Sequence, residues 1–374
     1  MIRKRFKKKA KQVRGLVPDN AIEKAAAQLN PLAENQPAPI SDENVPRITN
    51  ETIAEHREEV LKGARKFIYP LAHSKHRIVL ITSTIVIAAV IGLLTYCALG
   101  LYRYYQYNAF LYRVTQVIPF PIARFDGTFI DYENYLFELR HYVHYYQTQQ
   151  QDLFGGEQQV KSYRNQVLDN VINSAYIKKL AGQNDVSVSG KEVDERIDIV
   201  RSQNRLGSND KVFADVLRDY WGWSVSDFKR ALKSQILAEK LAAKLDSAAQ
   251  SRAQSALAQL KEGADFSELA KGVSDDPNTK KGGGEYGFGI TRTNPNVPPQ
   301  VVDALFKLKP GQISDIIIAS PVQTGQPVTL EIVKVLETDS TTVTAQHISF
   351  NLQDVTTYIK DLKGKQPPVV YVKF

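Results

Sequence analysis

The sequence predicts an α+β protein hung on a single transmembrane helix, with a mainly helical part after the crossing and an antiparallel sheet with helices beyond that. Residues Ile78 to Tyr102 form 25 consecutive uncharged residues. Between Tyr132 and Leu245 apolar residues return at three- and four-residue steps, as on one face of an α-helix. Asp126-Gly127 stands between two short apolar runs and marks a hairpin turn. A chain of 374 residues, 43% hydrophobic and 24% charged, has room for two or three domains with cores of their own. Cys97 is the sole cysteine, so no intramolecular disulfide can form and the fold rests on burial.

The net charge of +8 is unevenly placed. Residues 1–14 carry Arg3, Lys4, Arg5, Lys7, Lys8, Lys9, Lys11 and Arg14 without an acid, a pattern of solvated tails. Such a block can touch anionic lipid at an inner leaflet. Nothing beyond charge points to nucleic acid, and none is expected. Residues 31–48, rich in Pro, Asn and acids, read as linker. Asn50 to about Leu71 reads as a juxtamembrane helix with Ile53, Val60, Leu61, Ala64, Phe67 and Ile68 as its apolar positions. Residues 1–77 are thus a cytoplasmic tail and helix.

Residues 78–102 make the crossing. A helix of that length spans roughly 37 Å, enough for a ~30 Å hydrocarbon core with some tilt. Lys62, Arg65, Lys66, Lys75 and Arg77 precede the run, and only Arg103 and Arg113 follow it closely. Cytoplasmic flanks hold the Lys/Arg excess, which puts the N-terminus inside and residues from about 103 outside the cytoplasm, in a cell membrane. Tyr102, Tyr104, Tyr105, Tyr107 and Tyr112 read as an aromatic belt at the outer interface. A cleaved signal peptide has a short basic lead, whereas 77 residues precede this run. Leu94-Thr-Tyr-Cys97 is a poor lipoprotein box, because bulky Tyr96 stands where a small residue is wanted.

Residues 118–248 form the helical part. Pro119 to Ile130 reads as two short strands, and Asp131 caps a helix from Tyr132 to about Gln150. Residues 151–158 break it, and a second helix runs over about 159–182. Ser189-Gly-Lys-Glu192 and Ser224-Val-Ser-Asp227 are capping boxes that open a third and a fourth helix. The pieces PIARFDGTFIDYENY, VLDNVINSAYIKKLAGQNDVSVSGKEVDERI and WGWSVSDFKRALKSQILAEKL, in this order, resemble the N-terminal chaperone domain of the SurA, PrsA and PpiD foldases. That resemblance implies a module that cradles unfolded, proline-containing exported polypeptides in an apolar groove. His141 and His144 lie three apart on the first helix, but a metal pair needs further ligands and no Cys or acid partner is evident, so no metal is expected.

Residues 250–350 carry ordered pieces: Gly263-Ala-Asp-Phe266, Phe266-Ser-Glu-Leu-Ala270, Ser274-Asp-Asp-Pro277, Gly283-Gly-Glu-Tyr-Gly287, Leu305-Phe306 and Gly311-Gln-Ile-Ser314. Together they resemble a parvulin-type peptidyl-prolyl isomerase domain. Gly282-x-Gly-x-x-Gly287 also fits a dinucleotide fingerprint, but lacks the strand before and the helix after it. The family site has two facing histidines, a Cys or Asp, and an apolar proline pocket. The resemblance puts Asp276 at the Cys/Asp position and Glu331, within Thr329–Val335, in place of one histidine. It puts Tyr286, Phe288, Val297, Val301 and Phe306 around the substrate. Rotation about an imide needs no cofactor, and none is expected.

The family domain opens with an Ala-Arg-His-Ile-Leu strand that is missing before residue 250. Thr344-Ala-Gln-His347-Ile-Ser-Phe350 resembles it at the other end, which implies a circularly permuted parvulin rather than a truncated second repeat, for which only 24 residues would remain. A hairpin pairing Glu337 with Thr341 would set Glu331 opposite His347, because antiparallel partners keep a constant index sum. Asp276, His347 and Glu331 are therefore the catalytic candidates. Residues 351–374 read as an extension of a short helix and a final strand that adds to the sheet edge. The functional alternatives to a foldase with isomerase activity are a catalytically inactive envelope scaffold and a peptide-binding protein.

Overall fold

The computed structural model describes residues 49–149, 156–203, 209–323 and 325–374. The basic block 1–14, the linker 31–48 and residues 151–155 of the helix break lie outside the described residues. The backbone divides into two units, Met1–Ala89 and Val90–Phe374.

Helix α1 (Asn50–Ala98) supplies the described part of the first unit and ends in the second. The sequence reading separates a juxtamembrane helix from the crossing; the structure runs one helix through Pro70, at a position that costs about 3 kcal/mol in a helix interior. Its last turns and the π-turn that follows, His76–Arg103, are long and apolar enough to cross a membrane.

In the second unit, one π-turn (Leu99–Arg103) leads to α2 (Ala109–Thr115), capped by the Asn108 side chain accepting from Leu111 N at 2.9 Å. Strands β1 (Pro121–Phe125) and β2 (Thr128–Asp131) form the expected hairpin. Asp126 and Gly127 both have positive φ, +45° and +74°, as a tight two-residue turn demands. Helices α3 (Tyr132–Gln149) and α4 (Gly156–Gln183) close over it around Leu136, Leu139, Val167 and Tyr176. Cys97 and Leu101 are fully buried in this same core, and Tyr132 donates to Leu101 O at 2.7 Å.

That burial corrects the expected tyrosine belt. Tyr102, Tyr105, Tyr107 and Tyr112 pack against the core. Tyr102 donates to Pro121 O at 2.6 Å and Tyr105 to Lys373 O at 2.7 Å. Of the five, Tyr104 is the one left well exposed, at 64%. The uncharged run continues past the point at which the folded unit takes over, so its last residues serve the protein interior.

Helices α5 (Gly190–Gln203), α6 (Asp210–Val216) and α7 (Val225–Leu245) enclose a second core of Val193, Ile197, Phe213, Leu217, Leu232 and Ile236. Both anticipated capping boxes are present. Helix α8 (Ser247–Lys261) follows after one residue, Asp246, whose carboxylate accepts from Ala249 N and Gln353 N.

The rest is a four-stranded antiparallel sheet in the order β3-β6-β5-β4: β3 (Ile290–Thr291), β4 (Ile317–Ala319), β5 (Thr329–Thr338) and β6 (Thr342–Asn351). Leu330, Ile332, Ile348 and Phe350 bury one face with α8 and α9 (Phe266–Val273). Val333, Val335, Val343 and Ala345 bury the other with α10 (Pro299–Leu305).

Two details differ from expectation. Glu331 pairs with Ser349 and Val333 with His347, because the turn spans Asp339–Thr342 and a bulge between Val335 and Glu337 resets the count. The net slip is two residues, which preserves the face. After α11 (Val355–Lys365), strand β7 (Val369–Val370) pairs with β1, not with the second sheet. Its continuation packs Val372 into the first core and stacks Phe374 on Tyr135 at 5.2 Å.

Candidate functional site

His347 stands in the middle of β6, on the α10 face, two positions from the partner of Glu331. Its Nδ1 lies 2.9 Å from Glu331 Oε2, so the two candidates meet diagonally rather than directly opposite. Thr329 donates to the other Glu331 oxygen at 2.8 Å.

The third candidate comes from the loop after α9, which is clamped to β6. Ser274 Oγ accepts from Ser349 N and Asp276 N, and Asp275 N donates to Ser349 O at 2.7 Å. Arg252 holds the Asp275 carboxylate through two contacts, 2.6 and 3.0 Å. This sets Asp276 Oδ2 at 3.1 Å from His347 Nε2. Thr279 completes the line: its hydroxyl donates to Asp276 Oδ2 at 2.6 Å and lies 2.8 Å from His347 Nε2.

The fourth wall is the glycine-rich segment. His347 N donates to Gly284 O at 2.8 Å, and Tyr286 N to Ala345 O at 3.3 Å, which runs the segment along β6. Gly284 has φ +81°, and a Cβ there would sit 2.2 Å from the His347 carbonyl oxygen. The approach brings the Tyr286 ring onto the imidazole, with centroids 4.3 Å apart and planes 17° apart.

The electrostatics follow from this placement. Burial works against charge on His347, but hydrogen bonds to Asp276 and Glu331, and the charges of both, outweigh it and push the imidazole up to about 9. The His347 contact, aided by Thr279 and the Asn278 amide, holds the Asp276 carboxyl well below the usual carboxylate range against the opposing effect of burial. Burial pushes the Tyr286 phenol far up. At neutral pH the Asp276–His347 pair is carboxylate and imidazolium.

These groups floor a cleft of about 680 Å³ whose sides include Phe288, Pro298, Pro321, Val322 and Pro327. Tyr286 and Phe288 line it. Val297 and Val301 do not: both are fully buried behind it, in the core with Ile290 and Leu305. Phe306 packs against that core under Arg292, whose guanidinium is 4.3 Å from the ring. Thr279 was not anticipated, although its spacing of three from Asp276 is that of a side chain reaching back within one turn.

A second hollow, of about 710 Å³, opens in the helical part between β2, α3, α4 and α7. Phe129, Phe137, His141 and Trp223 give it aromatic surface, with Lys178, Arg230 and Glu138 among them. Burial pushes Glu138 up to about 7 against the pull of Arg230 and Lys178. A neighbouring hollow of about 730 Å³ shares His141 and Trp223 with it. His141 and His144 meet backbone carbonyls of Trp221 and Asp219, at 3.0 and 3.2 Å, and so hold the turn that presents the tryptophans.

Comparison with known proteins gives two family matches. Residues 72–242 match the SurA-like N-terminal domain, and residues 236–337 match the rotamase family described as the PPIC-type PPIASE domain. The Chaperone SurA of Burkholderia orbicola (strain AU 1054) is 45% identical over 74 residues, 20% of this chain and 16% of that protein. The Foldase protein PrsA of Enterococcus faecalis (strain ATCC 700802 / V583) is 43% identical over 68 residues, 18% of this chain and 19% of that protein. The matched stretches thus span less than one fifth of these curated relatives. The crystal structure of foldase protein PrsA from Streptococcus pneumoniae str. Canada MDR_19A is 23% identical, covering 54% of this chain and 75% of that one, at a TM-score of 0.17.

Proposed function

We propose that this chain, which joins a SurA-like N-terminal domain to a PPIC-type PPIase domain, is a membrane-anchored extracytoplasmic foldase that holds unfolded exported polypeptides and rotates their prolyl bonds. The observation that carries the isomerase part is the Asp276–His347–Glu331 line on the floor of a cleft flanked by Phe288, Pro298 and Val322.

Prolyl rotation breaks no bond but must cross a resonance barrier of ~18–20 kcal/mol. The planar imide draws its stiffness from a charge-separated form with negative charge on the carbonyl oxygen. A fixed carboxylate facing that oxygen disfavours the planar form more than the twisted one, which is differential stabilisation of the transition state. Asp276, ionised and held by Thr279 and His347, is the most exposed of the three in the cleft. His347 and Glu331 keep its charge and position. Phe288, Pro298 and Val322 supply apolar surface for the proline ring.

Three further points support the wider reading. The uncharged helix and the Lys/Arg excess before it favour a crossing with the folded unit outside the cytoplasm. The family match ends at residue 337, and the strand it lacks, β6, lies beside β5, as a circular permutation requires. The aromatic hollow between α3, α4 and α7 is suited to apolar segments of an unfolded chain.

The test is a proline-tetrapeptide isomerisation assay on the full chain in detergent. Asp276→Asn and His347→Gln should each lower kcat/KM roughly 100-fold. Rates equal to wild type in both variants would remove Asp276 and His347 from the chemistry, and a wild-type chain no faster than the uncatalysed reaction would leave a peptide-binding role, the reading favoured by the burial of Val297 and Val301 away from the cleft.

A further inference from the structure

The geometry points to a second membrane contact: a lipid-facing surface on the folded unit itself, formed by Tyr96, Leu99 and Phe110, that seats the start of α2 at the headgroup–acyl boundary of the outer leaflet. It rests on the reading of α1 as the crossing.

Cys97 and Leu101 are fully buried, so lipid can surround the helix on all sides only as far as Tyr96. Ile78–Tyr96 contains 19 residues, about 28 Å of helix against a hydrocarbon core of about 30 Å. The outer boundary therefore falls at Tyr96, and the folded core starts at the next residue without a linker.

What stands beside Tyr96 at that level is apolar and open. Leu99, three residues on and on the same side of the helix, is 49% exposed. The Phe110 ring sits 6.0 Å from the Tyr96 ring and is also 49% exposed. Its neighbour Leu111 is fully buried and packs on Gly100, where a Cβ would come within 3.0 Å of Leu111 Cδ1. The start of α2 thus meets the last turns of the crossing, with Leu111 in the core and Phe110 continuous with the surface of Tyr96. Arg103 and Arg113 are exposed nearby, and neither meets an acid among the described residues. An apolar strip bordered by unpaired cations is the pattern of a helix lying in an interface, with the cations at headgroup phosphates. Continuity with the crossing selects lipid as the occupant over a second copy.

The experiment uses the full chain in phosphatidylethanolamine/phosphatidylglycerol vesicles. In a Cys97→Ala background, or Cys97→Ser if far-UV dichroism shows that the first does not fold, a nitrobenzoxadiazole label is attached at Phe110→Cys, Leu99→Cys, Ile87→Cys or Glu262→Cys. Lipids brominated near the headgroup end of the acyl chain should quench the Phe110 and Leu99 sites about twofold or more, as for groups 5–10 Å deep. Mid-chain bromines should quench the Ile87 site, and the Glu262 site should stay bright. Quenching at Ile87 with none at Phe110 or Leu99 overturns the seated surface and leaves the crossing intact. No quenching at Ile87 overturns the crossing and this surface with it. Excimers from pyrene at Phe110→Cys, without lipid quenching, would give the surface to a second copy and likewise overturn the proposal.

Discussion

With Nδ1 2.9 Å from Glu331 and Nε2 within 3.1 Å of Asp276, His347 can donate to both carboxylates only when both ring nitrogens carry protons. Its folded-state pKa of about 9 lies above the ordinary 6.5, so between those values the folded chain holds a proton that the unfolded chain has lost. The stabilisation is complete below about pH 6.5 and disappears as pH rises through about 9, an effect on the order of 3 kcal/mol. Urea unfolding at pH 6 and at pH 9.5 should show that loss, and the imidazole NMR signals of His347 should titrate near 9. Glu331→Gln removes one of the two charges and should bring the midpoint back toward 6.5. A midpoint unchanged by that substitution would mean that Asp276 alone sets the charge. The residues of this line are legible in the sequence because Asp276, Glu331 and His347 occupy positions in ordered motifs. Thr279 is not, since a hydroxyl in a loop looks like any other turn residue until the loop is seen to fold back on β6. Val297 and Val301 were misplaced because an apolar residue near a cleft fits either its wall or the core behind it.

The element that positions the site is the β5–β6 hairpin together with the glycine segment laid against it. Gly284 is the tightest point, with its left-handed φ and a Cβ position 2.2 Å from the His347 carbonyl. Gly284→Ala should cost about 2–5 kcal/mol, adding overpacking to backbone strain, and should perturb His347 directly. Gly263 makes the control: its φ is +96° but nothing lies within 4 Å of its Cβ position, so Gly263→Ala carries strain alone. Denaturation midpoints of the two variants should differ, and equal midpoints would show that the loop yields without cost. Elements coded by neighbouring residues are the ones readable from sequence: the Ser189 and Ser224 caps, the Asp126-Gly127 turn, the apolar spacing of α3 and α7. Elements decided by distant partners are not. The strand register depends on a bulge between Val335 and Glu337 that leaves no mark in composition. The pairing of β7 with β1 depends on residues almost the whole folded unit away in sequence. The point at which α1 enters the folded core depends on which residues cover Cys97.

At the scale of the folded unit, the chain passes from the helical part into the sheet and returns through α11 and β7, so the two parts share both ends. They are also joined by a buried polar network. Arg196 of α5 meets Glu239 of α7 at 3.1 Å and Ser320, at the end of β4, at 2.9 Å; Ser320 donates to Glu239 at 2.6 Å, and Gln235 donates to the same carboxylate at 2.9 Å. Glu239 is 4% exposed and Ser320 7%. Ser320 precedes Pro321 and Val322, which line the cleft, so the helical part holds one wall of that cleft through this contact. Arg196→Ala strands a buried carboxylate and should cost about 3–5 kcal/mol, far above the value of an exposed pair. Replacing both charges, Arg196→Met with Glu239→Met, removes the stranded charge and should recover much of that loss. Urea unfolding of wild type, the single variant and the double variant measures both effects. If the network joins the two parts, amide exchange in Arg196→Ala should rise at residues 319–322 as well as along α5. Exchange that rises in α5 alone would confine the ion pair to the helical part and leave the cleft wall independent of it.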